Sequence, residues 1–174
     1  MVIFGIDPGY AIVGFGVLKY ENKRFTVLDF GAVTTDAGKP FSDRLSDIYS
    51  DLTFLFEKYK PEAMAIEKLF FNTNQKTAID VAQARGVILL AAKKSGAEIY
   101  EYTPLQVKQS VVGYGRAEKK QVQEMTRQLL SLSAVPKPDD TADALAMAIC
   151  HAHCTASGIM GLAASLNKIN TEKM

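Results

Sequence analysis

The run Val2-Ile3-Phe4-Gly5-Ile6 is unbroken by any polar side chain and ends on Asp7, Pro8 and Gly9. A strand without polar alternation has both faces covered, so it belongs in the middle of a sheet with helices packed on each side. Asp7 then stands where such a strand ends. Pro presets φ and Gly accepts positive φ, so a plain turn accounts for Asp-Pro-Gly as well as a reactive site does. The rest of the chain has to separate the two readings.

Beyond Gly9, periodicity divides the chain into alternating elements. Residues 11–20 form a second strand containing Gly14 and Gly16, and residues 24–33 (RFTVLDFGAV) a third after the polar turn Glu21-Asn22-Lys23. Short connections make these three an antiparallel meander. Gly14-Phe15-Gly16 is a poor dinucleotide loop, because it lacks a third Gly and opens no helix. Leu45, Ile48, Tyr49, Leu52, Leu55, Phe56 and Tyr59 then fall at helical spacing, predicting a helix over 41–60 with Ser42 as its cap and Pro61 as its stop. Residues 62–67 (EAMAIE) form a short strand ending in Glu67. A helix over 77–95 stops at Gly96, a fifth strand covers 98–102, and Thr103-Pro104 opens a helix with a capping residue and Pro in its first position. Helices over 118–132 and 139–154 complete the chain, separated by an extended Val135-Pro136-Lys137-Pro138 link. The expected fold is α/β: a mixed five-stranded sheet, three antiparallel strands then two helix-connected strands, with helices on both faces. In that sheet Asp7 and Glu67 lie side by side on adjacent strands.

At 174 residues the chain is long enough for one well-buried domain. We expect that domain over residues 1–157, with 158–174 a flexible tail of small and polar residues. Hydrophobic residues are 48% and charged residues 22% of the chain, ordinary values for a soluble globular protein. No apolar run reaches membrane-spanning length and no basic-then-apolar leader opens the chain, so the expectation is a cytoplasmic protein with no membrane partner. A net charge of +1 excludes wholesale basicity, so a nucleic-acid partner has to be met by positive charge gathered locally.

The helix beginning at residue 139 adds further acids. Within Asp139-Asp140-Thr141-Ala142-Asp143, Asp143 shares a helical face with either neighbour at the start. Capping and the helix dipole account for acids in a first turn. They account less well for Asp143, set between Ala142 and Ala144 in a small-residue helix suited to lying close on a sheet. Carboxylates converging from two strands and a helix repel one another unless cations lie between them. An all-oxygen set without paired His favours Mg²⁺ or Mn²⁺ over zinc. Two such ions about 4 Å apart suit phosphodiester hydrolysis.

Two segments supply contacts for a nucleic acid. Between Pro104 and Arg127 stand five bases (Lys108, Arg116, Lys119, Lys120, Arg127) against two acids (Glu118, Glu124). A solvated face explains such a cluster, yet Gly113 and Gly115 put Arg116 on a loop entering a helix N-terminus, an arrangement suited to phosphate. In Lys68 to Gln75, Phe70 and Phe71 adjoin Asn72 and Asn74. Two adjacent rings in a polar loop are hard to bury together, and an exposed ring can stack on an unpaired base. Cys150-His151-Ala152-His153-Cys154 fans around its helix, with Cys150 and Cys154 alone sharing a face, so packing is preferred there to a structural zinc or a disulfide.

FGIDPG around Asp7, AIEKLF around Glu67, QARG at 83–86, VVGYGRAEKKQV at 111–122 and DDTADALAMAICHAH from Asp139 together resemble the RuvC family of bacterial Holliday-junction resolvases, in order over most of the chain. The resemblance implies a ribonuclease-H-like nuclease domain that is a homodimer and makes symmetric, Mg²⁺-dependent paired nicks in a four-way DNA junction during recombination and repair. Two ions per active site are implied, with Mn²⁺ substituting. It places the catalytic, metal-holding carboxylates on Asp7, Glu67, Asp140 and Asp143, choosing Asp140 over Asp139 by its spacing to Asp-Ala-Leu-Ala. It puts Lys108 and Lys119 near the scissile phosphate, Lys119 with a catalytic part, and gives Phe70 as the stacking aromatic. Phe71, Asn72, Asn74, Arg116 and Lys120 complete the expected DNA contacts. Docking to RuvA-RuvB branch-migration proteins is implied as well. The helix over 77–95 is apolar enough, through Ile79, Val81, Val87, Ile88, Leu89 and Leu90, to cover both a core and a second copy. Gly5-Ile6-Asp7-Pro8-Gly9 also resembles the first phosphate loop of actin-like ATPases, which need a duplicated domain and greater length. The YqgF family of RNA-processing nucleases shares the Asp-Pro-Gly opening, but AIEKLF and the basic segment argue against it. A non-catalytic junction-binding module has no need of four convergent carboxylates.

Overall fold

The computed structural model describes residues 1–68 and 75–156. Its elements are β1 (Val2–Asp7), β2 (Ile12–Glu21), β3 (Arg24–Thr34), α1 (Phe41–Tyr59), β4 (Ala63–Glu67), α2 (Gln75–Ser95), β5 (Glu98–Tyr102), α3 (Pro104–Val112), α4 (Lys119–Leu129) and α5 (Asp139–Ala156). The sheet order is β3-β2-β1-β4-β5, so the unbroken apolar strand is the central one. β1, β2 and β3 pair antiparallel, while β1 with β4 and β4 with β5 are parallel. The mixed five-stranded sheet expected from the sequence is the one observed.

Alternation along β1 splits the interior into two layers. Phe4 and Ile6 point toward α1 and α2, where they pack with Ile48, Leu52, Phe56, Ile66 and Ile88. Ile3 points the other way, into a layer with Leu18, Tyr102, Leu145 and Ile149. Each such side chain taken wholly out of water contributes about 1.5–3 kcal/mol, which is why both helical layers stay on the sheet. Asp7 has the same parity as Ile3, so its carboxylate emerges on the α5 side.

Local chemistry sets the ends of the helices. Thr103 caps α3 through a reciprocal box: its Oγ1 accepts from the Gln106 N–H at 3.2 Å, and Gln106 Oε1 accepts from the Thr103 N–H at 2.8 Å. Lys60 takes a left-handed φ of 45° to close α1 ahead of Pro61, and Gly96 does the same for α2 at φ 87°. Ser42 is not the cap of α1. Pro40 holds that position without a side-chain hydrogen bond, and the Ser42 hydroxyl instead reaches Asp43 Oδ1 at 3.4 Å. A proline leading in with fixed φ serves where the sequence suggested a serine. α2 begins two residues earlier than its periodicity indicates, and α4 ends three residues sooner.

α5 lies on β1 and β2 more closely than side chains would allow. A Cβ built on Gly5 would be 2.0 Å from the Ala144 carbonyl oxygen, and one on Gly14 would be 2.0 Å from that of Asp140. Gly16 similarly makes room for Leu145. Ala142, Ala144, Ala146 and Ala148 answer from the helix, all buried. The Thr141 hydroxyl donates to the Gly31 carbonyl at 3.0 Å, fixing the first turn of α5 against β3. The glycines of β2 are therefore the seat of a helix, and not a nucleotide loop.

Candidate active site

Two strand ends and one helix start meet on the α5 side of the sheet. Ile6 pairs with Ile66 in parallel register, so Asp7 and Glu67, the next residues on β1 and β4, leave the sheet together. Asp7 is also paired with Gly14, the residue against which the Asp140 carbonyl rests. One turn further along α5, Asp143 enters a pocket of about 200 Å³ lined by Asp7, Glu67, Lys108, Lys119 and Asp143. Pro104, Val107, Val122, Ala146 and Met147 complete its wall. Acids reach it from β1, β4 and α5, and lysines from α3 and α4.

The electrostatics record how close the acids are. Burial, then the charges of Asp143, Glu67 and Asp140, push the Asp7 carboxyl up to about 7. Burial raises Glu67 as well, with Asp143 adding to it. Asp143 is raised too: its burial outweighs the ammonium of Lys119, whose Nζ is 2.8 Å from Asp143 Oδ2. Lys119 is pushed up in turn, mainly by that hydrogen bond. Asp139 has a different environment, since Lys137 donates to it at 2.6 Å and holds its carboxyl below the usual range. Asp140 is thus the first-turn acid that acts on Asp7, whereas Asp139 is taken up by a neighbouring lysine.

Repulsion between oxygen ligands is relieved by a hard divalent cation, and Asp7, Glu67 and Asp143 around one pocket, with Asp140 adjoining, fit that donor chemistry. Among the described residues no three His, Cys, Asp or Glu side chains are already drawn together tightly enough to hold an ion. The same holds for the Cys150 to Cys154 stretch, where neither cysteine is in a disulfide. His151 is buried with its Nδ1 2.8 Å from the Tyr102 hydroxyl, and burial holds its imidazole down to about 4.

The other residues singled out from the sequence are distributed unequally. Lys108 is half-buried on the pocket wall, whereas Arg116 and Lys120 are exposed outside it. Arg127, counted with the basic segment, is instead bonded to Glu124 and the Leu132 carbonyl. Phe70, Phe71, Asn72 and Asn74 lie outside the described residues, as does the 158–174 segment.

One positioning device has no local sequence signal. The buried Arg44 on α1 donates to Thr35 Oγ1 at 2.8 Å and to the Tyr10 carbonyl at 3.4 Å, and its guanidinium lies 4.8 Å from the centre of the Tyr10 ring. The Thr35 hydroxyl donates to the same carbonyl at 2.7 Å. Together they clamp the turn after Asp7. Its partners are 9 and 34 residues from Arg44 along the chain, too far apart for any spacing rule.

Comparison with known proteins agrees with this geometry. The family described as Crossover junction endodeoxyribonuclease RuvC matches residues 3–151. The crossover junction endodeoxyribonuclease RuvC of Ruminiclostridium cellulolyticum is 60% identical over 160 residues, 92% of this chain and 96% of that protein. Thermus thermophilus RuvC superposes with a TM-score of 0.84 at 37% identity, covering 91% of this chain and 97% of that one. The same protein in complex with a Holliday junction substrate gives 0.83 at 34% identity, over the same shares. With its ribonuclease-H-like sheet, its strand-end acids and this likeness along nearly its whole length, the chain belongs to the RuvC family of crossover junction endodeoxyribonucleases.

Proposed function

We propose that this protein resolves four-way DNA junctions by hydrolysing one phosphodiester in each of two symmetry-related strands, with Asp7, Glu67, Asp140 and Asp143 as its metal-holding carboxylates. The observation that carries the reading is the meeting of half-buried, mutually repelling acids from β1, β4 and α5 in one pocket that also holds two lysines. Two Mg²⁺ ions per site, replaceable by Mn²⁺, would polarise the scissile phosphate, supply hydroxide at neutral pH and stabilise the departing oxygen. Asp7 is held rigidly, because its strand is paired on both sides and Arg44 clamps the turn after it. Asp143 is set by the seat of α5 on the glycines of β1 and β2. Lys119 and Lys108 donate to phosphate oxygens and offset the negative charge that grows as the bond breaks. Arg116 and Lys120, outside the pocket, bind the backbone of the flanking arm, where contacts position DNA without reading it. Phe70 and Phe71, with Asn72 and Asn74, supply stacking and hydrogen bonds to bases at the junction centre.

The enzyme acts as a homodimer in the cytoplasm, its nuclease domain covering residues 1–157, and it takes junctions from a RuvA-RuvB complex. Support for the dimer comes from α2. Ile79 and Leu90 are exposed on it despite their size, and among the described residues nothing stands within 4 Å of where a Cβ on Gly86 would be. These three residues follow one stripe of the helix, a flat apolar strip suited to a second copy. Among the described residues no helix is long and apolar enough to cross a membrane.

The test is cleavage of an end-labelled, mobile synthetic four-way junction with Mg²⁺, beside a linear duplex. Native protein is expected to give paired, symmetric nicks in the junction and none in the duplex, and Asp7→Asn to bind the junction without cutting it. Binding without cutting by the native protein, in Mg²⁺ and in Mn²⁺, would reduce the chain to a junction-binding module.

A further inference from the structure

The ammonium of Lys119 is where a cation would be needed. Its Nζ is 2.8 Å from Asp143 Oδ2 and 3.8 Å from Asp139 Oδ2, and it lines the same pocket as Asp7 and Glu67. It is not required at Asp139, which has its own partner in Lys137 at 2.6 Å. Asp143 has no second cation within ion-pair distance among the described residues. The lysine stands at the first position of α4, in a helix separate from those carrying the acids, and its side chain is 56% exposed while that of Asp143 is 30% exposed. A long, half-exposed stem can swing the charge several ångströms without disturbing any packed residue.

We infer that Lys119 is a placeholder cation: it neutralises Asp143 while the pocket holds no metal, and it is released toward the DNA phosphate when a divalent ion takes that carboxylate. The inference rests on the metal-dependent function proposed for this pocket and adds an order of events to it. One positive charge facing Asp7, Glu67 and Asp143 does not satisfy all three carboxylates, so a divalent ion still binds, but it binds against a competitor already in place. With a divalent ion on Asp143 the ammonium is no longer shared with that carboxylate, and its donors are left to the phosphate. Metal and DNA therefore favour each other, and by linkage each raises the other's affinity by the same factor.

The measurement is Mn²⁺ binding to the full-length protein without DNA, read from the loss of the free-ion signal in electron paramagnetic resonance, for native protein, Lys119→Met, Lys119→Gln and Lys119→Arg. Circular dichroism checks that each variant is folded. Lys119→Met and Lys119→Gln are expected to bind Mn²⁺ about fivefold more tightly than native, the effect of removing one well-formed, partly exposed ion pair, while Lys119→Arg stays near native. Equal or weaker binding by the Met and Gln variants would overturn the placeholder role and leave the metal site standing. No Mn²⁺ binding by any folded form at millimolar ion would overturn both.

Discussion

Asp7 is the residue on which the site turns, and its carboxyl is costly to keep. With its value near 7 in the folded protein against 3.8 when unfolded, Asp7 holds a proton in the native state that the unfolded chain has already released between those two pH values. In that window stability falls as pH rises, by up to about 1.4 kcal/mol per pH unit, and above pH 7 the full penalty is present. Asn is the uncharged isostere of the protonated acid and carries no such penalty. In EDTA, Asp7→Asn is expected to match the native protein below about pH 4, to gain on it steadily to about pH 7, and then to hold an advantage of about 4 kcal/mol. Denaturant unfolding of the two proteins across pH checks this. His151 slopes the other way: unfolded it takes a proton near 6.5 but folded only near 4, so the stability it contributes above pH 6.5 is lost as pH falls to 4. Both proteins retain His151, so its contribution cancels in the difference. An advantage that stayed flat with pH would mean that Asp7 is not held protonated by its burial and its acidic neighbours.

At the scale of elements, the seating of α5 on β1 and β2 brings Asp140 and Asp143 to the strand-end acids Asp7 and Glu67. The helix rests on glycine where a Cβ would overlap its backbone, and the obstructing atom at Gly14 is the carbonyl of Asp140 itself. A backbone carbonyl cannot rotate aside as a side chain can, so Gly14→Ala is expected to lift the first turn of α5. Its cost should be about 2–3 kcal/mol in stability, with loss of at least about a hundredfold in cleavage rate, because Asp140 and Asp143 move with the turn. Gly96→Ala is the control in another element. It carries backbone strain at φ 87° but has open space around it, so its cost falls on stability while the cleavage rate is kept. Unfolding midpoints and single-turnover cleavage of a four-way junction separate the two cases. Equal loss of activity in both variants would detach the site from the seat of α5.

For the molecule as a whole, symmetric cutting needs two sites held in fixed relation, which a two-fold axis supplies. The exposed strip of Ile79, Gly86 and Leu90 on α2 lies on the sheet face opposite α5, leaving the pocket free for DNA. Gly in a helix interior costs about 1 kcal/mol relative to Ala, and among the described residues nothing crowds Gly86 to require it. Gly86→Glu is therefore expected to leave the fold intact and to shift the protein from dimer to monomer in sedimentation velocity. Cleavage would then lose its symmetry, giving independent single nicks. A dimer unchanged by this substitution would place the two-fold elsewhere.

Much of this was legible in the residues because it is written in short-range chemistry. A short apolar run such as Val2 to Ile6, closed by Asp-Pro-Gly, reads as a doubly covered strand, Thr103-Pro104 carries its own cap, and the spacing from Asp139 to Asp143 is a helical repeat. These features do not depend on distant partners, and so they gave the sheet, the side-by-side placing of Asp7 and Glu67, and the family's motifs. The tertiary structure decided what depends on packing. It showed that Gly5, Gly14 and Gly16 are spaces for a helix, that Asp139 is taken by Lys137 while Asp140 acts on Asp7, that Arg44 clamps the turn behind the site, and that Lys119 lies against Asp143. Apart from the local Lys137–Asp139 pair, each of these joins residues far apart in the chain or turns on the close approach of two backbones. Sequence periodicity reports which face a side chain takes, and it is blind to how near the facing element comes.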